Sequence, residues 1–90
     1  MSIKLDISLA SRQYTQGQQI VDVNGSTIDQ CLGDLIKQFP RIKQGLFDGN
    51  GKLHSHIDIY VNGESAYPEM LAKPVKDGDE LRVVFLIAGG

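Results

Sequence analysis

The sequence of 90 residues contains a single cysteine, Cys31. One cysteine excludes an internal disulfide, and it cannot provide the four thiolates of a structural zinc site or an iron–sulfur cluster. Iron–sulfur electron transfer is therefore excluded as a function. So little cysteine is typical of proteins from a reducing compartment, and we expect this chain in the cytosol.

Runs of one charge and long hydrophobic runs are also missing. Nine basic and eleven acidic residues give a net charge of −2. The basic residues are scattered, which predicts neither nucleic acid nor a membrane surface as a partner. The longest apolar run, residues 83–88, is too short to span a bilayer. Charges at Lys4 and Asp6 interrupt the first residues, so we expect no secretory signal peptide.

What the sequence does contain is a set of alternating apolar residues near both of its ends. Residues 3–9 alternate apolar and polar side chains, which predicts a half-buried strand. Residues 19–23 are rich in β-branched side chains and predict a second strand, paired with the first as a hairpin. Residues 57–61 alternate in the same way. Residues 81–87 are strongly apolar and predict a last strand in the centre of a sheet.

Between the second and third strands the apolar period becomes that of an amphipathic helix. Its apolar stripe comprises Ile28, Cys31, Leu32, Leu35, Ile36 and Phe39. Thr27 and Gln30 predict a capping box at its start. Pro40 disfavours helical geometry at Phe39, so we expect the helix to end there. Ile42 and Leu46 are four residues apart and predict a short helical turn after the helix.

This order of elements predicts an α+β fold. A hairpin, a helix and two later strands pack most simply as a mixed sheet with one main helix across one face, which is the β-grasp arrangement. We place the β-grasp domain at residues 1–86 and a flexible C-terminal tail at residues 87–90.

Side chains that could carry chemistry are few. Cys31 lies on the apolar stripe of the helix, where a thiol is buried and inert. His54 and His56 would face the same side of a strand, but no third metal ligand stands nearby, so we predict surface histidines and no metal site. The acidic residues at 77–80 lack the spacing of a calcium loop and predict a solvated turn. Residues 49–52 lack the spacing of a phosphate-binding loop.

The sequence finishes with Gly89 and Gly90, directly after the last strand. Two residues without Cβ atoms can thread a narrow channel and adopt backbone angles that other residues cannot. A side chain at Gly90 would crowd an attack on its carbonyl. The arrangement predicts acyl activation of a terminal carboxylate, for which another protein supplies ATP and the catalytic groups.

Three motifs together resemble the ubiquitin-like sulfur carriers, which include the small subunit of molybdopterin synthase and the thiamine sulfur carrier. They are Ile-Asp-Ile-Tyr-Val-Asn-Gly-Glu at residues 57–64, Lys-Pro-Val-Lys-Asp-Gly-Asp-Glu-Leu at 73–81, and Ile-Ala-Gly-Gly at 87–90. The resemblance covers nearly the whole chain. Residues 51–54 look most similar to the carriers of cysteine biosynthesis. Many members have proline and a small residue where this chain has Phe85 and Leu86.

The resemblance implies a role for each residue of the C-terminus. An activating enzyme of the ubiquitin-E1 type would adenylate Gly90 with ATP and magnesium, and sulfur would replace AMP to give a thiocarboxylate. A second enzyme would accept that sulfur to make a small molecule: cysteine or a related thiol, the molybdenum cofactor, or thiamine. Gly89 and Ala88 would thread the channel of the partner. The residues implied in partner docking are Ile87, Leu86 and Phe85.

The chain is thus expected to be a protein substrate that binds no cofactor of its own. Three other hypotheses remain open from the sequence. It could be a stable subunit of an enzyme similar to molybdopterin synthase, or a ubiquitin-like modifier joined through Gly90 to lysines of other proteins. It could also be a β-grasp binding module in which the two terminal glycines have no function.

Overall fold

A computed structural model describes residues 2–86 of the chain. Its strands and helices are β1 (Ile3–Asp6), β2 (Ile20–Val23), α1 (Ile28–Gln38), α2 (Lys43–Leu46), β3 (Ile57–Val61), β4 (Glu64–Ser65) and β5 (Glu80–Phe85). Short 3₁₀ helices occupy Leu9–Tyr14, Pro40–Ile42 and Met70–Ala72. The predicted tail at residues 87–90 lies outside the described residues.

The five strands form one mixed sheet in the order β2-β1-β5-β3-β4. β1 and β2 pair antiparallel as a hairpin, while β5 lies parallel to β1 and antiparallel to β3. The predicted β-grasp fold, including a last strand at the centre of the sheet, is therefore confirmed.

The core lies between the sheet and α1. Residues at alternate positions of β1, β2, β3 and β5 are buried, as the period of two predicts. Their fully buried partners on α1 are Ile28, Cys31, Leu32 and Leu35. Burying one such aliphatic side chain stabilises the fold by about 1.5–3 kcal/mol, so this stripe accounts for the position of α1 on the sheet.

The ends of α1 follow from local hydrogen bonds. The Thr27 hydroxyl accepts a bond from the Gln30 N–H at 3.2 Å. The Gln30 side chain accepts from the Ser26 N–H at 2.7 Å, one residue earlier than in a standard capping box. The helix ends at Gln38, immediately before Phe39 and Pro40. The predicted cap and the predicted end at proline are both confirmed.

Two predicted boundaries differ from the structure. The first strand was expected to continue to Leu9, but β1 ends at Asp6 and Leu9 begins a 3₁₀ helix with its side chain exposed. The Ser11 N–H donates to the Ser8 carbonyl and turns the chain away from the sheet. The last strand begins one residue earlier than predicted, and β5 ends at Phe85.

Gly33 lies on the exposed side of α1, and a Cβ atom there would meet nothing within 4 Å. We expect Gly33→Ala to raise the free energy of unfolding by about 0.5–1 kcal/mol, because alanine loses less backbone entropy than glycine on forming a helix. Urea denaturation of the two proteins measures the difference.

Gly25→Ala is the matched substitution, and its expected effect on the free energy of unfolding has the opposite sign. A Cβ atom at Gly25 would lie 2.7 Å from the backbone nitrogen of Cys31 and 3.0 Å from its sulfur. Gly25→Ala should therefore lower the free energy of unfolding by about 1–3 kcal/mol through overpacking. Equal changes in the free energy of unfolding for Gly33→Ala and Gly25→Ala would contradict the close packing of Gly25 against the start of α1.

Candidate functional site

The candidate site is the end of β5, from which the predicted tail begins. β5 is paired on both sides at its start, where residues 80–82 pair with β1, and with β3 from Leu81 to Phe85. Ile57 pairs with Phe85 at the last position of the β3 register. The end of β5 is therefore held by the antiparallel ladder with β3, which fixes the point at which the chain leaves the sheet.

The hydrogen bonding to the β3 side continues one residue beyond β5. The Leu86 N–H donates to the carbonyl of His56 at 2.6 Å. Leu86 is therefore tied to the residue that precedes β3.

Three aromatic rings stack beside this anchor. The rings of His56 and Phe85 have centroids 5.6 Å apart at 26°, and those of His54 and His56 are 5.4 Å apart at 27°. The Nε2 atom of His54 lies 3.1 Å from the Gln44 carbonyl, and its backbone N–H donates to Leu46. The stack connects the end of β5 with α2. We call His54, His56 and Phe85 the aromatic stack.

The structure places the predicted docking residues in different surroundings. Phe85 is half-buried, packs against the core and stacks on His56. Leu86 is 52% exposed, so one outward apolar side chain does stand at the start of the tail. Ile87 and the predicted tail residues Ala88, Gly89 and Gly90 lie outside the described residues. The docking and sulfur-carrying roles stay predictions.

The sheet face opposite α1 is open and carries paired charges. Lys4 and Asp22 form an ion pair at 3.2 Å, and Arg82 and Asp6 form another at 3.2 Å. Ion pairs this close to solvent contribute little to stability. The hydrogen bond from Lys4 is the main reason why the pKa of Asp22 is lowered. Each pair joins one acidic and one basic residue, so these four residues add no net charge to the face.

The turn before β5 differs from its prediction. Asp79 was expected in a solvated turn, but its side chain is only 8% exposed. Its carboxylate accepts bonds from the Lys76 N–H at 2.9 Å and the Asn62 amide at 3.0 Å. Both bonds hold the pKa of Asp79 below its usual range, and the bond from the Lys76 N–H has the larger effect. The side-chain Oδ1 atom of Asn62 in turn accepts a bond from the Glu80 N–H at 3.0 Å.

The bonds between Asn62 and Asp79 join the turn after β3 to the turn before β5. Asn62 adopts a φ of 52°, and Gly63 follows at 86°, the left-handed geometry that Asn-Gly readily takes in a hairpin turn. The Val-Asn-Gly and Asp-Gly-Asp-Glu motifs of the sequence thus contact each other. Since each supplies a partner for the other, both motifs position β5 rather than perform chemistry.

The remaining candidates also have clear surroundings. Cys31 is buried in the core, and burial, together with the charges of Asp34 and Asp79, raises the pKa of its thiol to about 11. A thiol with that pKa is almost entirely protonated at neutral pH and is a poor nucleophile. Among residues 2–86, no group of three or more His, Cys, Asp or Glu side chains is arranged to hold a metal ion. In the same part of the chain, no helix has the length and apolar character needed to cross a membrane.

A mixed five-stranded sheet, one main helix and a central last strand that leads into the C-terminal residues define a ubiquitin-like β-grasp protein. The chain belongs to the ThiS family, whose model matches residues 9–90. The resemblance to the ubiquitin-like sulfur carriers that the motifs indicated is thereby confirmed.

Individual relatives match over much or all of their length. The chain is 33% identical to the sulfur carrier protein CysO of Mycobacterium tuberculosis over 93 aligned positions that span all of both proteins. It is 34% identical to the small archaeal modifier protein 1 of Haloferax volcanii over 71 positions, 78% of each chain. A chain in the crystal structure of the Amycolatopsis orientalis BexX/CysO complex superposes with a TM-score of 0.87 at 32% identity, covering 98% of this chain and 99% of that one.

Proposed function

We propose that this chain is a sulfur carrier and that Gly90 bears the sulfur. The observation that carries the proposal is the likeness to the sulfur carrier protein CysO over all of both chains. That likeness includes the residues that lead from β5 to Gly90. The end of β5, held by its ladder with β3, and the anchored Leu86 support it, because they present the last residues from a defined position.

The chemistry belongs to the partner, and the carrier supplies a carboxylate. One carboxylate oxygen of Gly90 attacks the α-phosphorus of ATP on an activating enzyme of the ubiquitin-E1 type, and pyrophosphate leaves with magnesium. Hydrosulfide then attacks the carbonyl carbon of the acyl adenylate. AMP departs with the electrons of the broken C–O bond, and the thiocarboxylate remains. ATP and magnesium are used by that enzyme, while the carrier holds no cofactor and catalyses no step.

The geometry limits how the partner approaches. Four residues follow Leu86, and four extended residues reach at most about 14 Å. Ala88 and Gly89 fit the narrow part of the partner's channel, since they have small or no side chains. Leu86 and Ile87 contact its mouth, and Phe85 packs against the core immediately before Leu86. A partner that reaches Gly90 therefore covers the protein surface around Leu86.

The sulfur goes to a small molecule held by a second enzyme. We favour cysteine or a related thiol as the product, because residues 51–54 and the full-length likeness to CysO point to the same group of carriers. The molybdenum cofactor and thiamine are the alternatives. The proposal places this chemistry in the cytosol, where a lone reduced cysteine is stable.

The intact mass of the protein tests the proposal. The chain is incubated with ATP, magnesium, sulfide and the E1-type adenylating enzyme from the same cells. We expect a mass gain equal to sulfur replacing one oxygen, and fragmentation should map that gain to Gly90. Omitting ATP should abolish the gain. An unchanged mass with every E1-type enzyme of those cells would overturn the proposal.

A second candidate function is protein modification, which the likeness to the small archaeal modifier protein 1 favours. Here Gly90 would form an isopeptide bond with lysines of other proteins. Immunoblots of cell extracts distinguish the two functions. Conjugates of higher mass that disappear in a chain lacking Gly89 and Gly90 would support the modifier, whereas a single band at the carrier's own mass would argue against it.

A further inference from the structure

The charges of the chain are distributed unevenly along its sequence. Residues 37–56 contain four basic residues and one acidic residue, Asp48, whereas the rest of the chain contains five basic and ten acidic residues. The protein is acidic as a whole, yet this segment is clearly basic. It spans the end of α1, all of α2 and the loop that leads to β3.

The basic side chains of this segment are available to a partner. The ion pairs within the described residues all use basic residues from outside it. Arg41 and Lys43 are exposed, and the Arg41 guanidinium lies 5.8 Å from the centre of the Tyr14 ring. The one acid, Asp48, accepts bonds from backbone N–H groups of its own loop, chiefly that of Lys52, which lower its pKa. Its single negative charge stands against the four basic residues of the segment, so Asp48 offsets only part of their positive charge.

A groove in this segment lies next to the aromatic stack. Its lining comprises Pro40, Arg41, Lys43, Gln44, Phe47, Asp48, Gly49 and His54, so the one acid of the segment lies at the groove together with two cations. His54 is also the first ring of the aromatic stack, whose last ring is Phe85, next to Leu86. The aromatic stack therefore links the groove to Phe85, the residue before Leu86. We call Arg41, Lys43, Phe47, His54 and His56 the basic surface.

We propose that the basic surface docks an acidic segment of the activating enzyme that takes up the tail. The inference rests on the proposed function and specifies the chemistry of the partner. A short tail forces the enzyme to cover the surface around Leu86, and the basic surface adjoins that region. Charges are screened beyond about 8 Å at physiological ionic strength. An acidic segment at the groove thus experiences the local positive charge rather than the net charge of −2.

The groove also favours a protein segment over a small anion. Pro40 and the half-buried Phe47 supply apolar contacts, and the exposed Arg41 and Lys43 line the same groove. Apolar contacts with charged groups around them are typical of protein interfaces. Complementary charge of this kind raises association rates more than it strengthens the final complex, and the gain falls as salt is added.

The test compares two variants that each change the net charge by two. Arg41→Gln/Lys43→Gln removes two positive charges from the basic surface. Lys73→Glu makes the same change beside the first residue of α1, since the Ile28 N–H donates to the Lys73 carbonyl. ATP–pyrophosphate exchange is measured with the E1-type adenylating enzyme of the same cells, with the carrier as the varied substrate at low and high salt.

We expect Arg41→Gln/Lys43→Gln to raise the KM for the carrier about 10-fold at low salt with kcat unchanged. The difference from wild type should shrink at high salt, and Lys73→Glu should behave as wild type. Equal KM values for wild type and Arg41→Gln/Lys43→Gln at both salt concentrations would overturn the docking surface alone. An equal rise of KM in both variants would also overturn it, since the effect would then follow net charge. If the wild-type chain is not adenylated, the proposed function fails and this inference fails with it.

Discussion

The protein with Gly90→Ala is expected to fold as wild type and to be adenylated about 100-fold less efficiently. The added methyl group lies beside the reacting carboxylate, inside a channel that the proposal makes narrow enough to select glycine. A displacement of the reacting atoms by about 1 Å can cost about 100-fold in rate. The loss should appear in kcat/KM for ATP–pyrophosphate exchange.

Gly33→Ala is the matched control for this prediction. It makes the same chemical change on the exposed side of α1, and it should leave the exchange rate unchanged while raising stability slightly. Full exchange activity of Gly90→Ala would show that the terminal residue does not enter a restrictive channel. Equal losses in both variants would show that the assay reports general damage rather than the tail.

Asp79→Ala is expected to lower the free energy of unfolding by about 3 kcal/mol. The substitution removes a buried acceptor and leaves the Lys76 N–H and the Asn62 amide without their partner. The donors belong to exposed residues, so the loss is that of hydrogen bonds to a charged acceptor, each of which contributes about 1.5–3 kcal/mol. The connection between the β3–β4 turn and the start of β5 is lost at the same time. Denaturation with urea at neutral pH measures the loss.

The effect of Asp79→Ala should depend on pH in a defined direction. The pKa of Asp79 is lowered in the folded protein, so its carboxylate stabilises the fold above the unfolded pKa of about 3.9. That stabilisation is lost as the pH falls through the folded pKa. The gap in stability between wild type and Asp79→Ala should therefore narrow on acidification below about pH 4.

Glu80→Ala provides the control at the neighbouring position. Glu80 is exposed, and its replacement should change the free energy of unfolding by no more than about 0.5 kcal/mol. If the difference in free energy of unfolding between wild type and Asp79→Ala stays constant from pH 7 to below pH 4, the carboxylate of Asp79 does not stabilise the fold through its charge. An equal loss of stability in Asp79→Ala and Glu80→Ala would also contradict a stabilising role of the buried Asp79 carboxylate.

Local patterns predicted the elements well, and their failures have local causes too. The period of residues 28–39 located α1 to within one residue because a helix is stabilised by contacts between near neighbours. Alternation extended the first strand too far, since the pattern continues to Leu9 while the turn from Ser8 to Ser11 ends the strand. Alternation describes which side chains could share a face, and it contains no information on where pairing stops.

The candidate site could be predicted from the sequence only in part. The roles of Gly89 and Gly90 come from the motif at residues 87–90 and stay predictions. The contribution of His56 could not be predicted, because it depends on the pairing of Ile57 with Phe85, 28 positions later in the chain. The burial of Asp79 was missed for the same reason, since its partner Asn62 is 17 residues away. One signal was present: the Asn-Gly and Asp-Gly-Asp motifs flank two strands that the β-grasp order makes neighbours.

The sequence by itself determined the fold class, the helix and its caps, and the family resemblance, because each depends on a short repeating pattern or a continuous motif. Only the tertiary structure decided which carboxylate is buried, how Leu86 is anchored, and that the aromatic stack links Phe85 to a groove lined by Arg41 and Lys43. These features arise where the β3–β5 ladder brings distant residues together. Such contacts depend on strand order and register, and no spacing within a single segment specifies either of them.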